Sequence, residues 1–110
     1  MTSLEVLKEI VNKLNNNPKA KEEVKGTKDI FQFKTENQNY YLQFKEDGSA
    51  EVYEGIHPSP SVTLTAKDSD FTDIMTGKLD GVRAFFTGKL KISGNAMLAN
   101  KLVNLMKKLK

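Results

Sequence analysis

Residues 87–102 read TGKLKISGNAMLANKL, and the parsing of this stretch decides the fold. Gly88 and Gly94 bracket a segment in which lysine and apolar residues take turns. A phosphate-cradling loop needs a glycine, four residues and then Gly-Lys-Ser or Gly-Lys-Thr, so that backbone amides wrap the phosphates where a helix begins. Here five residues lie between the two glycines, and asparagine follows the second. Leu90 and Ile92 alternate with Lys89, Lys91 and Ser93, the period of a strand with one apolar face. The stretch therefore predicts a strand over 89–93 that Gly94 breaks, followed by a helix that Asn95 caps.

Outward from it, the downstream helix carries Leu98, Leu102, Leu105, Met106 and Leu109 as one stripe, which Met97 and Val103 broaden. Upstream, Val82, Phe85 and Phe86 sit on a short helix that stops at Gly88. Before that comes a helix with Phe71, Ile74 and Met75, capped by Asp68 or Asp70 and ended by TGKLDG. Val62, Leu64 and Ala66 alternate with Thr63 and Thr65 as a fourth strand, reached through the proline-stiffened GIHPSPS. Three earlier strands form a meander with turns at TENQN and EDGS. In it Phe31, Phe33, Tyr40, Leu42, Phe44, Ala50 and Val52 fall on one face, and Gln32, Lys34, Tyr41, Gln43, Lys45, Glu51 and Tyr53 fall on the wet one. The chain opens with a capping box, Thr2 and Glu5, leading a helix over 3–15. The run NNNP closes it before a short second helix over 19–24.

Five strands with one apolar face require helices packed on that face. The fold class is α+β: a five-stranded, mostly antiparallel sheet in a two-layer sandwich with its helices. If strands four and five run parallel, the two helices joining them make a right-handed crossover. A chain of 110 residues is expected to form one domain over 1–110.

Composition removes several kinds of chemistry. With no cysteine, disulfides, zinc–thiolate clusters and thiol catalysis are excluded, and a reducing compartment is favoured. His57 is the only histidine; beside Pro58, Ser59 and Ser61 in a stiff loop it shows neither an orienting carboxylate nor a placed nucleophile. Asp68, Asp70 and Asp73 lack the following glycine and glutamate of a calcium loop and read as an acidic helix start. No catalytic residue, metal or cofactor is expected. The apolar share of 38% is enough for a core, while the 28% charged share leaves no room for a membrane span. Glu5, Lys8 and Glu9 interrupt any signal-like start, so the expected location is cytoplasmic.

Charge is uneven. Residues 1–80 hold 10 bases and 14 acids, whereas residues 81–110 hold 7 bases and no acid. Such asymmetry points to an anionic partner. Nucleic acid is not expected, because Arg83 is the only arginine and the basic third carries no exposed aromatics interleaved with its charges. Transient contact with an anionic membrane surface fits better.

The run DFTDIMTGKLDGVRAFFTGKLKISGNAMLANKLVNLM, preceded by PSVTLTAKDSD, closely resembles the sterol carrier protein-2 family of lipid-binding domains. The shared elements are an aspartate–phenylalanine helix, a GKL before the next helix, AFFxGKLKIxG as a strand, and a leucine-rich last helix. The resemblance implies a non-catalytic lipid-binding or lipid-transfer domain. An apolar tunnel between sheet and helices would take a fatty acid, fatty acyl-CoA, sterol or phospholipid. Carried over by position, the implied wall comprises Phe71, Ile74, Met75, Phe85 and Phe86 on the middle helices, Leu90 and Ile92 on the fifth strand, and Met97, Leu98, Leu102, Leu105 and Met106 on the last helix. The ending MKKLK differs from serine-lysine-leucine, so peroxisomal import is not expected. A monomer or weak dimer is expected. The alternative is an interaction module whose apolar last helix docks on a partner or a second copy.

Overall fold

The computed structural model describes residues 1–109. Helix α1, Ser3–Asn15, begins on the predicted capping box: Thr2 Oγ1 accepts the Glu5 N–H at 3.2 Å and the Glu5 carboxylate accepts the Thr2 N–H at 2.9 Å. Its stripe of Leu4, Leu7, Val11 and Leu14 is buried, Leu7 completely. Helix α2, Pro18–Glu23, starts with proline where no amide is needed, and the Asn17 side chain accepts the Ala20 N–H at 3.1 Å. The helix lies directly on the β-turn at Gly48. A Cβ there would sit 2.0 Å from the Lys21 carbonyl oxygen, and the φ of +88° is one that only glycine adopts freely.

The sheet contains β1 (Ile30–Lys34), β2 (Asn39–Phe44), β3 (Ala50–Glu54), β4 (Val62–Thr65) and β5 (Lys91–Gly94), in the order β3-β2-β1-β4-β5. All neighbours pair antiparallel except β1 and β4. The α+β class and the mostly antiparallel sheet are as expected. Strands β4 and β5 are antiparallel, so the crossover rule does not apply to them; the parallel pair is β1 with β4, joined through the meander.

Three local readings are corrected. Gln32, expected on the wet face, is 1% exposed. The segment after β3 runs back across that face, and Gln32 fastens it: Nε2 donates to the Gly55 carbonyl at 3.0 Å and the Tyr40 carbonyl at 3.1 Å, and Oε1 accepts the His57 N–H at 2.8 Å. Helix α3, Asp68–Thr76, has Lys67 as its cap residue with no side-chain cap bond. Glu36 accepts the Asp68 N–H at 2.8 Å, and the Asp68 carboxylate turns instead to Ser3, accepting from its N–H at 3.1 Å and its Oγ at 2.6 Å. Finally, β5 begins at Lys91 and ends with Gly94 still paired to Val62. The amides of Lys89 and Leu90 both reach the Ala84 carbonyl, at 2.9 and 3.0 Å, and so close the preceding turn.

Ser3 Oγ also lies 2.6 Å from the Tyr40 hydroxyl. Burial pushes that phenol well above its ordinary range, with the Ser3 hydrogen bond opposing and the Asp68 charge adding to the shift. This cluster ties the start of α1 to β2 and α3. At the other end of α1, Asn15 makes a reciprocal pair with the Ala50 backbone, Nδ2 donating at 3.0 Å and Oδ1 accepting at 2.9 Å.

Candidate functional site

Helix α4, Gly81–Phe86, starts where the Asp80 carboxylate accepts the Val82 N–H at 2.9 Å. Helix α5, Ala96–Lys108, starts where Asn95 accepts the Met97 N–H at 3.0 Å. Gly94 makes the approach from β5 to α5: its φ is +101°, and a Cβ would lie 2.9 Å from the Ser61 carbonyl oxygen. Any other residue would push β5 off β4.

Between α4, β5 and α5 lies a cavity of about 230 Å³. From α4 it takes Gly81, Val82 and Phe85, from the β5 side Leu90 and Ile92, and from α5 Ala96, Ala99, Asn100 and Val103. Asn100 is the only polar side chain among them. The space exists because α5 turns alanines toward α4. A Cβ on Gly81 would stand 3.2 Å from a Val103 methyl, so the two helices already touch at the inner end and part toward the lip. Val82 and Phe85 form that lip, 51% and 44% exposed.

Leu90, Ala99 and Val103 also line a second, narrow void of about 30 Å³ beneath α5, whose other walls are Phe33, Leu64, Phe71, Ile74, Met75, Leu102 and Met106. On the far side of α5 a third void of about 40 Å³ lies among Phe31, Phe44, Leu98, Leu102 and Leu105. The last helix therefore rests over unfilled apolar space on both flanks. Empty space with an apolar lining offers water few hydrogen-bond partners and leaves its walls without the dispersion contacts that a filled interior makes.

Of the twelve predicted wall residues, ten border one of these spaces: Phe85, Leu90 and Ile92 the largest, Phe71, Ile74, Met75, Leu90, Leu102 and Met106 the second, and Leu98, Leu102 and Leu105 the third. The structure does not bring Phe86 or Met97 to any of them. The sequence pattern places both in the apolar set, yet they are 79% and 75% exposed. One residue beyond Phe85, about 100° further round the helix, Phe86 lies off the cavity, and Met97 sits on the outer side of the first turn of α5. Sequence reasoning assigned Val82 and Val103 to the apolar pattern but not to the wall, and it missed Gly81, Ala96, Ala99 and Asn100. The available signal was small residues at helical spacing opposite bulky ones, which is where a wall recedes.

No group of three His, Cys, Asp or Glu side chains comes together as a metal site among the described residues. His57 is committed locally, its Nδ1 accepting the Ser59 N–H at 2.9 Å and its ring edge meeting Tyr41 at 5.1 Å. No described helix is long and apolar enough to cross a membrane.

The model of the SCP-2 sterol transfer family matches residues 7–107. The chain is 49% identical over 72 residues to the peroxisomal multifunctional enzyme A of Dictyostelium discoideum, a match covering 66% of this chain and 16% of that protein. It is 32% identical over 109 residues to the oleate-induced peroxisomal protein POX18 of Candida maltosa, covering 94% of this chain and 86% of that one. Among solved structures, palmitated SCP2L2 from Aedes aegypti superposes with a TM-score of 0.69 at 27% identity, over 96% of this chain and 95% of that one. The chain thus spans about a sixth of the multifunctional enzyme and most of the two small proteins.

Proposed function

This chain belongs to the SCP-2 sterol transfer family, and on that premise we propose that residues 1–110 act as a single non-catalytic domain that carries one acyl chain, as fatty acid or fatty acyl-CoA, in the space between α4, β5 and α5. The observation that carries this reading is a cavity of about 230 Å³ with an almost wholly apolar lining and an outward lip. The Aedes aegypti protein of the same fold is palmitated, which supports an acyl ligand here.

The proposed wall consists of Phe85, Leu90 and Ile92 at the cavity, and of Phe71, Ile74, Met75, Leu102 and Met106 along its inner continuation, with Leu98 and Leu105 on the far flank of α5. Pockets enclosing drug-sized ligands run to roughly 300–1,000 Å³, so a long chain needs more room than the main cavity offers. Rotation of Leu90 and Val103, which border both spaces, joins the cavity to the void under α5, and a small lift of α5 supplies the rest. Burying a sixteen-carbon chain yields on the order of 12 kcal/mol gross at about 0.8 kcal/mol per methylene. Loss of ligand freedom and ordering of α5 offset much of that, leaving affinities of about micromolar. With Asn100 the only polar side chain lining the main cavity, selectivity follows length and shape.

Native mass spectrometry of the protein purified from its own cells tests the reading. Bound species of fatty-acid or acyl-CoA mass are expected. A ligand-free protein that also fails to displace a fluorescent fatty acid at micromolar concentration would overturn it.

A further inference from the structure

We infer that an open polar groove beside the apolar cavity is a binding site for a soluble phosphate ester, held by Lys67, Lys89 and Lys91. The inference goes beyond the lipid reading and does not depend on it, since the two spaces have different walls.

Residues 87–91 divide two spaces of opposite character. Leu90 borders the apolar cavity, whereas Thr87, Gly88, Lys89 and Lys91 border a groove of about 550 Å³. The end of β4 and the first turn of α3 make its other bank, with Thr65, Ala66, Lys67, Ser69 and Asp70. That volume is more than twice the cavity's and falls within the roughly 300–1,000 Å³ of small-molecule sites. Ala66 is the only apolar side chain in the lining, and it is buried. The exposed Phe86 and Met97 lie outside it, so the groove suits a hydrated, charged molecule and offers a bilayer nothing to enter.

Charge sets the sign of that molecule. Strand register puts Thr65 between Lys34 of β1 and Lys91 of β5, and Lys67 and Lys89 follow two residues further along the same two segments of chain as Thr65 and Lys91. None of these four lysines is in an ion pair; Lys28, Lys45 and Lys108 are the cations that are, among the described residues. Like charges gathered in this way repel one another and focus a positive field in the groove. Within the lining, three positive charges face the one negative charge of Asp70, an excess that a phosphate monoester, about −1.5 to −2 at pH 7, balances. The neighbouring acids are engaged elsewhere: Glu36 accepts the Asp68 N–H, and the Asp68 carboxylate accepts from Ser3. The N–H groups of Ser69 and Asp70, in the first turn of α3, have no hydrogen-bond partner among the described residues. Donors as well as charges therefore stand ready for phosphate oxygens.

The test is an NMR titration of the full chain with ribose 5-phosphate at constant ionic strength, with ribose as the blank. Saturable shifts are expected at the amides of Ser69, Asp70, Thr87 and Lys89 with the phosphate ester and not with ribose, and affinity should fall as salt rises. Lys89→Gln and Lys91→Gln should each weaken binding about fivefold. Asp70→Asn, which removes the opposing charge, should strengthen it about two- to fivefold, and Lys13→Gln on α1 should change nothing. All four positions are at the surface, so folding is expected to survive, and an unchanged melting temperature checks that it does. Shifts that never saturate and spread over lysines throughout the chain would mean an adventitious ion only and would overturn the inference. So would an Asp70→Asn variant that binds no better than wild type. Lysine variants that lose sedimentation with phosphatidylserine vesicles while keeping their affinity for ribose 5-phosphate would overturn it as well, by giving the lysines to lipid headgroups. Fatty-acid displacement, measured on the same variants, reports on the cavity separately, so the failure of either site is distinguishable from that of the other.

Discussion

Two helices of equal length, α1 and α5, flank one sheet and are treated very differently by it. Helix α1 packs against β3 and α3, and α5 packs against β4, β5, α3 and α4. Helix α1 is fastened at both ends by side chains, Ser3 to Tyr40 and Asp68, and Asn15 to the Ala50 backbone. It turns Leu7 and Leu14 inward and buries both almost completely. Helix α5 has one hydrogen bond from a side chain to another element among the described residues, the exposed Lys108–Glu23 pair at 3.1 Å. It turns alanines toward α4 and lies over three voids. An exposed pair of that kind contributes less than about 1 kcal/mol. One end of the sandwich is thus fastened by side-chain hydrogen bonds at both ends of its helix, whereas the other is held by apolar contact and one exposed ion pair.

The contrast is tested most directly at buried leucine against cavity-facing valine. Leu7→Ala removes a fully buried side chain and should cost about 2–5 kcal/mol in urea unfolding. Val103→Ala, on a half-buried residue that already faces two voids, should cost about 1 kcal/mol or less. Equal losses would mean that α5 is packed as tightly as α1.

The polar fastening of α1 gives the next effect. Ser3→Ala leaves the buried Tyr40 hydroxyl without its partner and takes one from the half-buried Asp68 carboxylate, and should destabilise by about 1–3 kcal/mol. The same cluster predicts alkaline sensitivity. Because the Tyr40 phenol titrates higher in the folded state than its ordinary value near 10, its contribution is intact below pH 10. It declines above that pH at up to about 1.4 kcal/mol per pH unit, as the unfolded chain loses the proton first. In spectrophotometric titration the Tyr40 phenolate should therefore appear only with unfolding, and Tyr40→Phe should flatten the alkaline slope of stability.

At α5 the corresponding change acts on binding. Ala99→Leu fills space shared by the main cavity and the void beneath it, so fatty-acid affinity should fall about tenfold, or 1.4 kcal/mol. Thermal stability should hold or rise slightly, because added methyl groups meet apolar walls already waiting for them. A loss of stability comparable to that of Leu7→Ala would show that the space is closed in solution.

Much of this asymmetry could be read in the chain, and the unreadable part has a physical reason. Periodicity located every strand and helix to within a few residues, since alternation and helical stripes report which face is apolar. It could not report Gln32, whose burial comes from a segment more than twenty residues later crossing the wet face. Nor could it separate Phe85 from Phe86, adjacent members of one apolar run, of which one lines the cavity and the other stands in water. Ala99 and Gly81 carry the cavity by being small, and a missing side chain leaves no periodic signal. Which apolar residues enclose a space depends on the distance between helices, and that distance is set by pairs of residues far apart in the chain.

The smallest expected effect is therefore also informative. Phe86→Trp enlarges a ring that the family resemblance, carried over by position, assigns to the cavity wall, and in a wall that enlargement would exclude ligand. At 79% exposure the larger ring instead extends into solvent. Solution affinity for a fatty acid should not change, and stability should stay within about 0.5 kcal/mol, as for surface substitutions generally. The indole then serves as a reporter, because off the cavity its fluorescence should remain unmoved when fatty acid binds. A shift produced by fatty acid alone would draw Phe86 into the cavity and erase the distinction between the lip and the wall.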